Sequence, residues 1–107
     1  MNITKTNFYQ YEISVQEFEE YSLEECCTIL HIDCSGLNLE FFPSKIAYCY
    51  ECESLYANFN LIVDIPKSMT SMKKLKRLYL NHNRIQYFPG FIHHFVNLQE
   101  LDLDLYK

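Results

Sequence analysis

The sequence predicts an α/β repeat fold: a short solenoid whose strands stack into one parallel sheet while irregular or helical segments return the chain behind it. Three observations predict this. Pro43, Pro66 and Pro89 stand 23 residues apart, a period within the range that marks solenoids. Counted from each proline, apolar residues recur in fixed columns. Within one unit, Leu75 to Phe95, the strand-like alternation of Leu78 and Leu80 gives way to Asn83, Ile85, Phe88 and Pro89, so about twenty residues use both a strand rhythm and a return rhythm.

The columns define each element. Eleven residues before the prolines stand Ile32, Leu55 and Leu78, and nine before stand Cys34, Ala57 and Leu80. These pairs are the inward positions of three short strands. Leu39, Ile62 and Ile85 follow at four before, then Phe42, Ile65 and Phe88 at one before. Past the prolines, Ile46, Met69 and Ile92, then Cys49, Met72 and Phe95, then Cys52, Leu75 and Leu98 mark the return segments, and Leu98, Leu101 and Leu103 open a fourth, truncated unit. No single turn can bury its own apolar face, so each strand must pair with the same strand of the next unit and the stack forms a common core.

Ahead of the first unit the same frame places Leu23 in the column of Ile46 and Cys26 in that of Cys49. Residues 15–27 read as one helix, with Ser14 and Glu17 spaced as a capping box and Phe18 and Tyr21 on one face. Tyr9, Tyr11, Ile13 and Val15 alternate with mostly polar neighbours and suggest an edge strand covering the first repeat. Residues 1–28 are therefore expected to form an N-terminal cap, and residues 29–107 the repeats.

Leu75, Leu78, Leu80, Asn83, Ile85, Phe88, Pro89, Ile92 and Phe95 follow the spacing LxxLxLxxNxLxxFPxxIxxF. That pattern resembles the leucine-rich repeat, in particular the 23-residue class of intracellular Ras-associated signalling proteins. The resemblance covers residues 29–107. It implies a right-handed solenoid with a parallel sheet on its concave side, short helices or extended turns on its convex side, and an asparagine ladder at Asn60 and Asn83. Leu37 and Tyr106 depart from that ladder in the first and fourth units.

Composition narrows the function. With 107 residues, 49% hydrophobic, two glycines and three prolines, the chain is one domain-sized unit with no linker-like segment. A formal net charge of −5 argues against nucleic acid, whose binding needs clustered cations; the run Lys73, Lys74, Lys76 and Arg77 reads as a solvated face. No apolar run reaches membrane-spanning length and the first residues lack a signal-peptide pattern, so the expected compartment is the cytoplasm, with the nucleus as the other choice. Five cysteines make an odd count for a disulfide framework and fit a reducing compartment.

Little in the sequence suggests catalysis. Cys49 and Cys52 form a CxxC spacing, but both fall in apolar columns with no second pair to complete a zinc site, and read as buried small hydrophobes. Cys26 and Cys34 also lie in apolar columns, while Cys27 falls outside them. His93 and His94 are adjacent on a return segment and are expected to diverge at the surface rather than share a metal. No nucleophilic triad, phosphate loop or paired carboxylate motif is recognisable, so the expectation is a non-enzyme with no cofactor and no metal.

The strand positions between the inward residues are those the core does not need. Twelve before the prolines stand His31, Ser54 and Arg77, with Glu100 in the fourth unit; ten before stand Asp33, Tyr56, Tyr79 and Asp102; eight before stand Ser35, Asn58, Asn81 and Asp104; the next column holds Gly36, Phe59 and His82. The candidate protein-binding set is Asp33, Tyr56, Asn58, Phe59, Arg77, Tyr79, Asn81, His82, Glu100 and Asp102. Tyrosine and arginine are enriched at interface hot spots, although Tyr56 and Tyr79 could equally support each other across strands. The acidic C-terminal side of this face, with Arg77 in its middle, suits a partner with a basic or mixed segment. The expected role is a protein-interaction module in intracellular signalling. The alternatives are a regulatory or targeting part of an enzyme whose catalytic domain follows residue 107, and a homodimer joined through an open C-terminal sheet edge.

Overall fold

The computed structural model describes residues 1–106. Its strands are Asn2–Lys5 (β1), Gln10–Glu12 (β2), Ile29–Asp33 (β3), Ser54–Tyr56 (β4), Arg77–Tyr79 (β5) and Glu100–Asp102 (β6), and two short α-helices, Val15–Glu19 (α1) and Leu23–Cys26 (α2), precede β3. All six strands form one sheet in the order β2-β1-β3-β4-β5-β6. From β3 to β6 the pairing is parallel and advances by one repeat: Ile32 faces Leu55, Leu55 faces Leu78, and Leu78 faces Leu101. Behind the sheet, 3-10 helices at Ser44–Tyr48, Lys67–Ser71 and Ile92–His94 return the chain. Each of the first two begins directly after Pro43 or Pro66, whose ring fixes φ and ends the extended run.

The core is the spine the columns describe. Ile32, Leu55 and Leu78 are buried, as are Cys34, Ala57 and Leu80, Ile62 and Ile85, Ile46 and Met69, Cys49, Met72 and Phe95, and Cys52 and Leu75. Phe88 departs from its column: Phe42 and Ile65 are buried, but Phe88 is exposed.

Two asparagines tie adjacent rungs together. Asn60 Oδ1 accepts the backbone N–H groups of Leu37 and Leu39 at 3.0 Å each, while its Nδ2 donates to the carbonyls of Cys34 (2.9 Å) and Ala57 (3.2 Å). Asn83 repeats the arrangement one rung on, accepting from Ile62 N–H (3.1 Å) and donating to Ala57 (2.8 Å) and Leu80 (3.2 Å). Both amides are buried with their hydrogen-bonding capacity used, the condition under which such groups are tolerated in a core.

The segment ahead of the first rung differs from expectation in three ways. Residues 15–27 form two helices because there are two capping boxes. Ser14 accepts from Glu17 N–H, Ser22 accepts from Glu25 N–H, and each glutamate reaches back to the N–H of its serine. The strand in the alternating stretch from Tyr9 is confined to Gln10–Glu12 and does not pair with the first repeat. Instead β1 pairs antiparallel with β3, Ile3 facing Ile32, and β2 lies outside it as the edge. Finally, the backward frame holds at Cys26, which is buried, but fails at Leu23, which is exposed on the first turn of α2.

Candidate functional site

Alternation sends one set of strand side chains into the spine and leaves the other on the open sheet face. Tyr56, Tyr79, Arg77, Asn58 and Asn81 are half-buried there, and Asp33, Phe59, His82, Glu100 and Asp102 are exposed. The sheet register places Asp33, Tyr56, Tyr79 and Asp102 opposite one another in a single row across β3 to β6. The two tyrosine rings in the middle of that row meet edge to face, centroids 4.9 Å apart, a favoured aromatic geometry.

At one end of the neighbouring row, Arg77 and Tyr79 share one carboxylate. Arg77 Nε lies 3.4 Å from Glu100 Oε2, and the Tyr79 hydroxyl donates to the same oxygen. That hydrogen bond to a negative acceptor holds the Tyr79 phenol above its ordinary pKa, with partial desolvation and the Glu100 charge acting in the same direction. Arg77 also donates from a terminal nitrogen to Ser54 Oγ at 3.3 Å. This covers Ser54, which the alternation alone assigned to the open face and which is instead 1% exposed.

A second ladder runs where the candidate asparagines sit. Ser35 Oγ accepts Asn58 N–H (3.0 Å), Asn58 Oδ1 accepts Asn81 N–H (2.7 Å), and Asp104 Oδ1 accepts His82 N–H (2.8 Å). Asn58 thus bridges rungs as well as facing outward. Asp104, outside the candidate set, belongs beside His82. Nothing in the residue types distinguished this ladder from ordinary exposed polar positions.

The next column has an unusual backbone. Gly36, Phe59 and His82, each 23 residues apart, all adopt left-handed conformations, with φ of 70°, 57° and 58°. Glycine does so without steric cost, whereas a bulky side chain there is a true outlier. The turn after each strand demands this φ, and Phe59 and His82 meet the demand while stacking face to face at 4.4 Å with an interplanar angle of 8°. Phe59 remains 63% exposed.

The remaining candidates resolve as follows. Cys26, Cys34, Cys49 and Cys52 are buried free thiols and Cys27 is half-buried. Burial drives the Cys34 and Cys52 thiols up to about 12 and pushes Cys49 up as well, which makes them poor nucleophiles. Among the described residues no group of His, Cys, Asp and Glu is arranged to hold a metal ion. His93 and His94 are exposed but do not diverge: their rings meet edge to face at 4.3 Å, because both lie in the tight 3-10 turn. The basic run is used between rungs, Lys74 pairing with Glu51 and Lys76 with Glu53 at 3.3 Å. No helix among the described residues is long and apolar enough to cross a membrane.

Comparison with known proteins bears on this architecture. The family model described as leucine rich repeat matches residues 52–104, the stretch holding β4, β5 and β6. The chain is a leucine-rich-repeat protein. Its leucine-rich repeats also superpose on the solved structure of a leucine-rich-repeat protein of Leptospira interrogans, with a TM-score of 0.71 and 28% sequence identity over 79% of this chain. That alignment spans only 22% of the Leptospira protein. No curated protein matches the sequence. Leucine-rich repeats commonly mediate protein–protein interaction, since stacked repeats create one extended surface from many short strands.

Proposed function

We propose that the protein is a non-catalytic interaction module that binds a protein partner on the open face of its sheet, in a role within intracellular signalling. One observation carries this reading. Two aromatic pairs, Tyr56 with Tyr79 and Phe59 with His82, stand side by side on a face that the apolar spine does not need. Phe59 is the telling member, because it holds a left-handed backbone and leaves most of its ring in water. Residues held in such sparsely populated backbone regions cluster at functional sites. Arg77, Glu100, Asp102 and Asn81 supply polar groups around the rings, the mixture of aromatic anchors and polar surroundings found in interface centres.

Affinity capture tests the reading. Tyr56→Ala, Tyr79→Ala and Arg77→Glu combined should abolish recovery of the partner while circular dichroism stays unchanged. Undiminished recovery by the folded triple variant would assign binding to another surface.

A further inference from the structure

The charge on the open sheet face specifies the chemistry of what binds it. Along the three outward strand columns lie four carboxylates, Asp33, Glu100, Asp102 and Asp104, against one cation, Arg77. The strip therefore carries a net charge of −3 of the chain's −5. The single cation is already matched, since Arg77 pairs with Glu100. Among the described residues Asp33, Asp102 and Asp104 have no ion-pair partner. Asp33 accepts Ser35 N–H at 3.0 Å and Asp104 accepts His82 N–H, bonds that hold their positions without cancelling their charge.

The arrangement is more specific than a negative patch. Register puts the row in the order acid, tyrosine, tyrosine, acid: Asp33, Tyr56, Tyr79, Asp102. Strands in a sheet are about 4.8 Å apart, so the two outer carboxylates lie roughly 14 Å from each other across the tyrosine pair. A Lys or Arg side chain crossing either tyrosine gains from the ring face along its stem and head, then reaches the carboxylate beside it. An acidic partner would meet uncompensated like charge at both ends.

We propose that the partner presents an extended, Lys- or Arg-rich segment that lies across the strands, with two cations about four residues apart. An extended chain advances about 3.3 Å per residue, so that spacing matches the separation of Asp33 and Asp102. The tyrosine pair takes the backbone and stems between the cations, and the stacked Phe59 and His82 flank it. This rests on the open sheet face being the binding surface, and the test separates the two ideas.

The experiment is selection of random dodecapeptides displayed on phage against the full chain, followed by titration of the recovered synthetic peptides. Expected are sequences enriched in Lys and Arg that bind the parent protein and lose about tenfold in affinity with Asp33→Asn plus Asp102→Asn, a loss suited to two exposed charge pairs. The control, Glu20→Gln plus Glu40→Gln, removes the same charge from exposed positions off the sheet and should bind as the parent does. Amide chemical-shift mapping should place the peptides on β3 to β6. Neutral or acidic peptides that map to those strands would overturn the basic-partner inference and leave the binding face intact. Peptides mapping to the 3-10 side would overturn both. Equal losses in the two double variants, or no recovery above background, would also defeat the inference.

Discussion

Phe59 and His82 stack in parallel at 4.4 Å even though each holds the left-handed backbone that Gly36 adopts in the first rung. The relationship fixes what the column is for: the turn after each strand needs positive φ, and two rungs fill it with aromatic rings at some conformational cost.

Replacing Phe59 should therefore cost the fold little. A left-handed L-residue carries a penalty of about 1–2 kcal/mol, which Asn escapes in part, while the lost aromatic contact is worth about 0.5–1.5 kcal/mol. The terms nearly offset, so urea denaturation should place Phe59→Asn within about 1 kcal/mol of the parent. A loss far above that would make the ring a structural element. Gly36→Ala should be destabilising by about 1 kcal/mol, because open space around its Cβ does not relieve the backbone.

Asn83→Ala attacks the ladder. It leaves the Ile62 N–H and the Leu80 carbonyl without their buried partner, while the Ala57 carbonyl keeps Asn60, at about 1–3 kcal/mol for each group left unsatisfied. We expect a loss of roughly 3 kcal/mol by urea denaturation, with the sheet of the neighbouring rung losing hydrogen-exchange protection first. A near-neutral result would mean that water replaces the amide.

Thiol reactivity should sort the cysteines by burial. In the native protein an aromatic disulfide reagent should titrate Cys27 readily, and Cys26, Cys34, Cys49 and Cys52 only on unfolding. Rapid native reaction at Cys49 or Cys52 would contradict their place in the spine.

Acid sensitivity should report the second capping box. The Ser22 backbone N–H, donating to Glu25 at 3.1 Å, holds the Glu25 carboxyl below the ordinary carboxylate range. A depressed folded-state pKa adds stability that is complete above the unfolded-state value and vanishes as pH falls through the folded one. Glu25→Gln keeps an acceptor but cannot titrate. Urea midpoints should thus differ most between parent and variant near neutrality and converge by about pH 2. A gap that widens in acid would reverse the assignment.

The repeating part of the molecule was legible because one period governs many columns at once. Leu55, Leu78, Met69 and Met72 each occupy the place their spacing assigns, and the same holds for the amides of Asn60 and Asn83. The irregular parts were harder for identifiable reasons. Ser54 is buried by the Arg77 side chain one rung away, a tertiary contact that alternation does not encode. The strand Asn2–Lys5 has only one buried residue, Ile3, so its apolar pattern is too short to read. The break between α1 and α2 did have a signal, the Ser22 and Glu25 spacing, hidden by the apolar continuity around it. At the site, the row from Asp33 to Asp102 follows from the period, but the left-handed turns at Phe59 and His82 do not, since neither residue type advertises that backbone.

The most direct test of the central claim, that recognition occurs on the open sheet face, is site-specific photo-cross-linking in native lysate. A benzophenone amino acid placed at Tyr56 or Tyr79 should yield one discrete cross-linked partner, and the same group at Tyr48 or Tyr50, on the return side, should yield none. Equal or stronger cross-linking from Tyr48 or Tyr50 would contradict the account.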